Sequence, residues 1–320
     1  MIWISVLGFL AGFVLLIQGG DWLVDGASAL AKRFNISEIV IGLTVVSFGT
    51  SAPELIVNVF ASFTNVENIA LGNILGSNIA NVFLVLGVAA LYRPLALQGR
   101  TIWREIPFAL IITLVLGILA NDLVFVSYGR NILSNGDGLL LLVFFLFFMY
   151  YTFGSSLDEE LIGELPTLPL KKSVLFVIAG MLGLAIGGKL VVDRAEFIAY
   201  SMGISDAFIG LTAVALGTSL PELITSLNAA FKSNSDIAVG NVVGSNIFNI
   251  ALVLGVSSSI KDIPYHGSFN LDLGVATLAM IFLFGFMFLG KRHGIGRWEG
   301  ALFALLYIGY IVMVYFTRVV

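Results

Sequence analysis

Ten stretches of the chain stay apolar over roughly 20 residues, the length a helix needs to cross a bilayer. They are 2–20, 38–61, 68–91, 104–121, 137–154, 172–190, 206–231, 236–257, 269–290 and 298–316. Short polar turns separate most of them. One longer break, 155–171, gathers Asp158, Glu159, Glu160, Glu164, Pro166, Pro169 and Lys171. The pattern predicts an N-terminal five-helix unit over 1–154 and a C-terminal one over 172–320, joined by an acidic linker too short to hold a domain. The first stretch lacks a basic lead and a small-residue cleavage site, and Asp21 and Asp25 follow it, so it reads as a retained span.

The two halves carry the same text. Residues 39–90 align without a gap to 207–258 at a constant offset of 168, with 28 of 52 positions identical. Ile41-Gly-Leu-Thr-Val-Val-Ser-Phe-Gly-Thr-Ser-Ala-Pro-Glu-Leu-Ile56 meets Ile209-Gly-Leu-Thr-Ala-Val-Ala-Leu-Gly-Thr-Ser-Leu-Pro-Glu-Leu-Ile224. Gly72-Asn-Ile-Leu-Gly-Ser-Asn-Ile-Ala-Asn81 meets Gly240-Asn-Val-Val-Gly-Ser-Asn-Ile-Phe-Asn249. The second copy starts five spans after the first, an odd number, so the copies enter the membrane from opposite sides. Such an inverted repeat places a site near the midplane and supplies two near-equivalent arrangements for alternating access. Duplication followed by simple helix packing would explain the Gly-x-x-x-Gly pairs Gly72/Gly76 and Gly240/Gly244. It does not explain the carboxylates.

Composition narrows the chemistry. Asp, Glu, Lys and Arg make up only 11% of the chain, against about 25% in a soluble domain, while 58% is hydrophobic and mean hydropathy is +1.02. A net charge of −4 leaves no nucleic-acid footprint. The chain has no cysteine and two histidines, so thiolate and imidazole sites give way to oxygen-only chemistry. Eleven basic loop residues, Lys32, Arg33 and Lys232 among them, fall on one side and five on the other, which places both termini outside and the linker in the cytoplasm.

Of the 16 basic and 20 acidic residues, the span map leaves Glu54 and Glu222 well inside the membrane. An ionisable group there costs roughly 2.5–3.5 kcal/mol on insertion scales, and these two occupy matching positions. Pro53 and Pro221 lack an N–H, so the carbonyls of Gly49 and Gly217 lose their helical donors and local unwinding is expected. Free carbonyls, Thr50, Thr218, Ser51, Ser219 and the two carboxylates then make a set of hard oxygen donors. Calcium takes six to eight oxygens, commonly including carboxylates. Sodium is a similar-sized hard cation, whereas magnesium dehydrates too reluctantly for so dry a site. Ser77 and Asn81 share a helix face four residues apart, as do Ser245 and Asn249, and either ion binding or interhelical hydrogen bonding accounts for them. Asn73 and Asn241 fit the hydrogen-bonding role better. Asp25 and Asp193 are expected to end the first span of each half, and Trp3, Trp22, Trp103 and Trp298 to anchor helix ends at the interface.

The duplicated Gly-Thr-Ser-x-Pro-Glu and Gly-Asn-x-x-Gly-Ser-Asn-Ile blocks resemble the α-repeats of the cation/calcium exchanger superfamily, in particular its prokaryotic sodium/calcium antiporters. The resemblance covers essentially the whole chain. It implies an all-α integral membrane protein of ten transmembrane helices in two inverted five-helix repeats, exchanging Na⁺ for Ca²⁺. It further implies Glu54 and Glu222 as shared central ligands, joined around the metal by Thr50, Thr218 and the carbonyls of Ser47 and Ala215. Ser51, Ser77, Ser219 and Ser245 would complete flanking sodium sites, with Asn81 and Asn249 at the middle one. Some relatives carry Asp where this chain has Asn249. Two formal negative charges then remain, enough to neutralise one Ca²⁺, and potassium co-transport is not expected.

These expectations describe a transporter and not an enzyme, with no cofactor, whose partners are inorganic cations and the lipid bilayer. A monomer in a prokaryotic inner membrane is expected. The nearest alternative is a calcium/proton antiporter in which Glu54 and Glu222 would themselves carry protons. A cation channel is more distant, because channels repeat their lining around an axis along the membrane normal.

Overall fold

The structure, a computed structural model, describes residues 2–64, 67–96, 101–122, 131–154, 168–201, 215–288 and 294–318. Most of the acidic linker, and the first part of the expected span 206–231, lie outside the described residues. The membrane helices are α1 (Ile2–Phe34), α2 (38–64), α3 (67–92), α4 (101–120) and α5 (Asn135–Gly154) in the first half. In the second half they are α6 (Leu170–Ser201), α7 (215–231), α8 (235–260), α9 (Phe269–Phe286) and α10 (Arg297–Arg318). Nine of these are long and apolar enough to cross a membrane among the described residues, and α7 is the one described only in part. The chain is an all-helical, multi-pass integral membrane protein.

Burial sorts the helices into layers. In α8, 94% of the most apolar window is buried inside the protein, against 22% in α5 and α10. The repeat helices α2, α3, α7 and α8 therefore form the interior, and the lipid is met by α4, α5, α9 and α10. Leu146, Tyr150, Leu305 and Ile308 are typical exposed residues of that outer layer.

Helices α1 and α6 form a separate pair that packs along glycines. A β-carbon at Gly12 would lie 3.0 Å from the Gly187 carbonyl, and one at Gly19 would lie 3.0 Å from the Gly180 carbonyl. These two contacts exchange under the 168-residue offset, so the seam obeys the repeat symmetry. Backbones can approach this closely only because small residues line the contact.

Both helices of this pair run further than the sequence suggests. Asp25 does not end the first span, and Asp193 does not end the sixth; α1 continues to Phe34 and α6 to Ser201. Each of these aspartates lies in an ion pair on the helix surface. Lys232 reaches from the end of α7 to Asp21 (2.6 Å) and Asp25 (2.7 Å), and Lys189 pairs with Asp193 at 3.2 Å one turn along α6. Trp22 consequently sits within α1 against Phe176 rather than at a helix end. Trp103 and Trp298, exposed near the starts of α4 and α10, fit the interfacial role.

Two short antiparallel clips tie the halves together. Strand β1 (Leu95–Ala96) follows α3, and β2 (Ile132–Leu133) precedes α5; β3 (Ile263–Pro264) follows α8, and β4 (Gly294–Ile295) precedes α10. β1 pairs with β4, and β2 with β3. The offset relates β1 to β3, so each half contributes the same strand to one clip.

Candidate ion-binding site

Glu54 on α2 and Glu222 on α7 are each 1% exposed, deep among the interior helices. The helices around them depart from regular α geometry, in α3 and α8 at matched places. Widened π turns occupy Gly42–Val46 in α2, Asn81–Leu86 in α3 and Phe248–Leu254 in α8. Such turns lengthen the hydrogen-bonded ring and recur at functional sites.

The expected unwinding at the prolines occurs in one repeat only. In the second, Ser219 leaves the helix (φ −88°, ψ 2°) and Pro221 falls in the first turn of Leu220–Phe231, where a missing N–H costs nothing. In the first, Pro53 stays inside the continuous helix Ser47–Thr64. The irregularity of α2 lies upstream, in the π turn at Gly42–Val46, where Ser47 Oγ donates to the Gly42 carbonyl at 2.8 Å.

Across the interface each threonine meets the second block of the opposite repeat. Thr50 Oγ1 donates to Asn241 Oδ1 at 3.0 Å and lies 3.3 Å from Ser245 Oγ. The symmetry mate Thr218 donates to Asn73 Oδ1 at 3.3 Å and lies 3.4 Å from Ser77 Oγ. Asn73 and Asn241 thus carry the interhelical role expected of them. Ser47 is buried and also donates to the Asn241 carbonyl at 3.0 Å, and its own carbonyl accepts from Thr50 at 3.3 Å. Ala215 opens the described part of α7.

The carboxylates differ. Glu222 Oε1 accepts from Ser51 at 3.3 Å and from Ser245 at 3.5 Å. Neither oxygen of Glu54 has a hydrogen-bond partner among the described residues, and neither do Glu222 Oε2, Ser219 Oγ, Asn81 Oδ1 or Asn249 Oδ1. A buried polar atom without a partner ordinarily costs about 1–3 kcal/mol, more when charged. Five such oxygens drawn from α2, α3, α7 and α8 are pure acceptors and the sixth is the Ser219 hydroxyl, and the two carboxylates lie within electrostatic reach of each other. Acceptors that face no donor are suited to a hard cation. Among the described residues no three His, Cys, Asp or Glu side chains cluster, so neutral oxygens must supply the rest of any coordination shell.

The structure brings together the predicted residues Thr50, Ser51, Glu222 and Ser245, and separately Ser77 and Thr218. It also shows two residues that the sequence reading gave no role. Asn81 Nδ2 donates to Asn246 Oδ1 and Asn249 Nδ2 to Asn78 Oδ1, both at 3.0 Å. Asn78 and Asn246 stand in the Gly-Ser-Asn-Ile of each copy, and that identity was the available signal.

Two halves of opposite orientation, with buried carboxylates at their interface, define an inverted-repeat membrane transporter fold. The chain belongs to the sodium/calcium exchanger protein family, whose model matches residues 4–154 and 172–316. It is 32% identical to the sodium/calcium exchanger MaX1 of Methanosarcina acetivorans, over 99% of this chain and 100% of that one. It is 35% identical to the inner membrane protein YrbG of Escherichia coli, over 96% and 95% of the two chains. A solved structure of the sodium-calcium exchanger NCX_Mj, soaked with zero Na⁺ and Ca²⁺, matches 98% of this chain and 100% of that chain with a TM-score of 0.84 and 35% identity.

Proposed function

We propose that this chain is a secondary antiporter that exchanges Na⁺ for Ca²⁺, the two ions competing for one oxygen cluster built from both repeats. The observation that carries this is the set of unpartnered buried oxygens that includes Glu54 and Glu222, five of them pure acceptors, which call for cations. Glu54, Glu222, Thr50 and Thr218, with the carbonyls of Ser47 and Ala215, would hold Ca²⁺. Ser51, Ser77, Ser219 and Ser245 would flank it as sodium ligands, and Asn81 and Asn249 would occupy the middle. The names of MaX1 and NCX_Mj support sodium and calcium as the substrate pair.

Two carboxylates neutralise one Ca²⁺, so the calcium-loaded cluster carries no net charge and the barrier can move past it. Access alternates as the α1–α6 pair slides over the interior helices. The glycine seam supports this, because it joins α1 and α6 into one body with little side-chain interlock. The protein works without a cofactor as a monomer in a prokaryotic inner membrane, with both termini outside.

Uptake of radiolabelled calcium into proteoliposomes tests the proposal. Vesicles loaded with Na⁺ and diluted into Na⁺-free medium should accumulate calcium, and vesicles loaded with K⁺ should not. Uptake that follows an imposed pH gradient and ignores internal Na⁺ would replace this function with calcium/proton exchange.

A further inference from the structure

Four asparagines, Asn78 and Asn81 on α3 and Asn246 and Asn249 on α8, form a closed network between the repeats. Asn81 donates to Asn246 Oδ1 and Asn249 to Asn78 Oδ1, as above. Asn78 Nδ2 in turn donates to the backbone carbonyl of Asn246 at 3.2 Å, and Asn246 Nδ2 to the backbone carbonyl of Asn78 at 3.3 Å. All four side chains are at most 2% exposed.

The orientation of each amide follows from donor and acceptor counting alone. A backbone carbonyl can only accept, so Asn78 and Asn246 must turn their NH₂ groups toward each other's main chain. Their Oδ1 atoms then face Asn249 and Asn81. Oxygen against oxygen is repulsive, so Asn249 and Asn81 must turn their NH₂ groups to those acceptors. Their own Oδ1 atoms are left pointing the other way, buried and without a partner among the described residues. Asn81 lies one turn beyond Ser77, which touches Thr218, and Asn249 one turn beyond Ser245, which touches Glu222. Each free oxygen thus stands one turn along the same helix from a serine of the expected ion-ligand set.

We propose that Asn78 and Asn246 are positioning residues: through them two fixed backbone carbonyls dictate that Asn81 and Asn249 offer oxygen, and not N–H, to the ion. This rests on the exchange function proposed above and on Asn81 and Asn249 as ligands of the sodium-bound state. An amide free to flip would present a donor to a cation half the time. A ligand's orienting partner is typically worth a factor of about 10–100 in metal affinity.

The test is calcium binding to the purified full-length protein, with Na⁺ as competitor. In Asn246→Leu the Na⁺ concentration that halves calcium binding should rise about tenfold or more, while calcium affinity without Na⁺ changes little. Asn78→Leu should do the same through Asn249. In an Asn81→Ala background, Asn246→Leu should add no further shift. Asn246→Ser also removes the acceptor from Asn81, and it carries the same prediction if the leucine variant does not insert. Parallel loss of calcium and sodium binding, or a full additional shift on Asn81→Ala, would reduce these residues to helix packing. A wild-type protein whose calcium is not displaced by Na⁺ would instead refute the exchange function itself.

Discussion

Helices α2 and α7 carry the same motif, Gly-Thr-Ser-x-Pro-Glu-Leu-Ile, yet they sit in different surroundings. Beyond Glu222, the α7 face made by Ile224, Thr225 and Asn228 is covered by α1. A β-carbon at Gly20 would lie 3.0 Å from Asn228 Nδ2 and 3.1 Å from Ile224 Cγ2. Asn228 donates to the Ile17 carbonyl at 3.0 Å, and Lys232 closes the end of the contact onto Asp21 and Asp25. The matching face of α2 holds Ile56, Val57 and Phe60, which are 57%, 44% and 66% exposed. Symmetry would have α6 cover that face. Instead Gly188, the counterpart of Gly20, approaches Pro221 of the second repeat.

The difference teaches that the α1–α6 pair rests against one repeat, and that beyond the shared motif the two faces differ in sequence. In this placement α7 is broken beside a hydrogen-bonded Glu222, and α2 is continuous with an unpartnered Glu54. A mirror placement would set α6 against the corresponding face of α2. It would lack an equivalent latch, because the counterparts of Asn228 and Lys232 are Phe60 and Thr64, and that of Asp21 is Lys189. The placement seen here thus has a polar fastening that its mirror image does not.

The largest effects should come from the carboxylates. Glu54→Gln and Glu222→Gln should each abolish sodium-driven calcium uptake while the protein still inserts and runs as a single species on size exclusion. Their stabilities should differ. Replacing Glu54 removes a buried carboxyl group with no hydrogen-bond partner, so its variant should melt higher without ions than the Glu222 variant, in which a hydrogen-bonded carboxyl group is lost. Equal melting temperatures would remove the distinction between the two sites.

Gly19→Leu attacks the seam. A β-carbon there would lie 2.8 Å from the Leu184 nitrogen, so the side chain must force α1 and α6 apart. Turnover should fall by about tenfold or more, the loss expected when about 1.4 kcal/mol is added to the limiting barrier. Calcium affinity should be nearly kept. A matched loss of binding would show that the seam supports the site rather than the motion.

Smaller changes convert one face into the other. Asn228→Phe installs the first repeat's residue and removes the bond to the Ile17 carbonyl, a loss of about 1 kcal/mol. The exchange rate should change a few-fold in one direction of transport more than in the other. Lys232→Thr acts on a half-exposed ion pair, for which about 0.2–1 kcal/mol is usual. Its effect should be about twofold and should vanish at high salt. A salt-independent effect would mean that Lys232 does not act through its charge.

Much of this was legible from the chain. Span positions, the inverted repeat and the two deep carboxylates follow from apolar run length and from the fixed offset, both local properties. What escaped depends on distant partners. Asp21 and Asp25 read as the end of a span because the lysine that pairs with them is some two hundred residues away. Pro53 and Pro221 read alike because the motif around them is nearly identical in the two repeats. The two-residue clips at Leu95–Ala96 and Ile132–Leu133 are too short to leave a periodicity. The orienting role of Asn78 and Asn246 needed the facing carbonyls, which only the folded chain supplies.

Calorimetric titration of Ca²⁺ into the wild type and the two glutamine variants, at a series of Na⁺ concentrations, is the most direct test that both repeats build one shared site. Rising Na⁺ should weaken calcium binding to the wild type with more than first-power dependence. Glu54→Gln and Glu222→Gln should lose binding alike, although only one of the two carboxylates is hydrogen-bonded here. Calcium binding indifferent to Na⁺, or retained in either variant, would contradict a single oxygen cluster contested by the two ions.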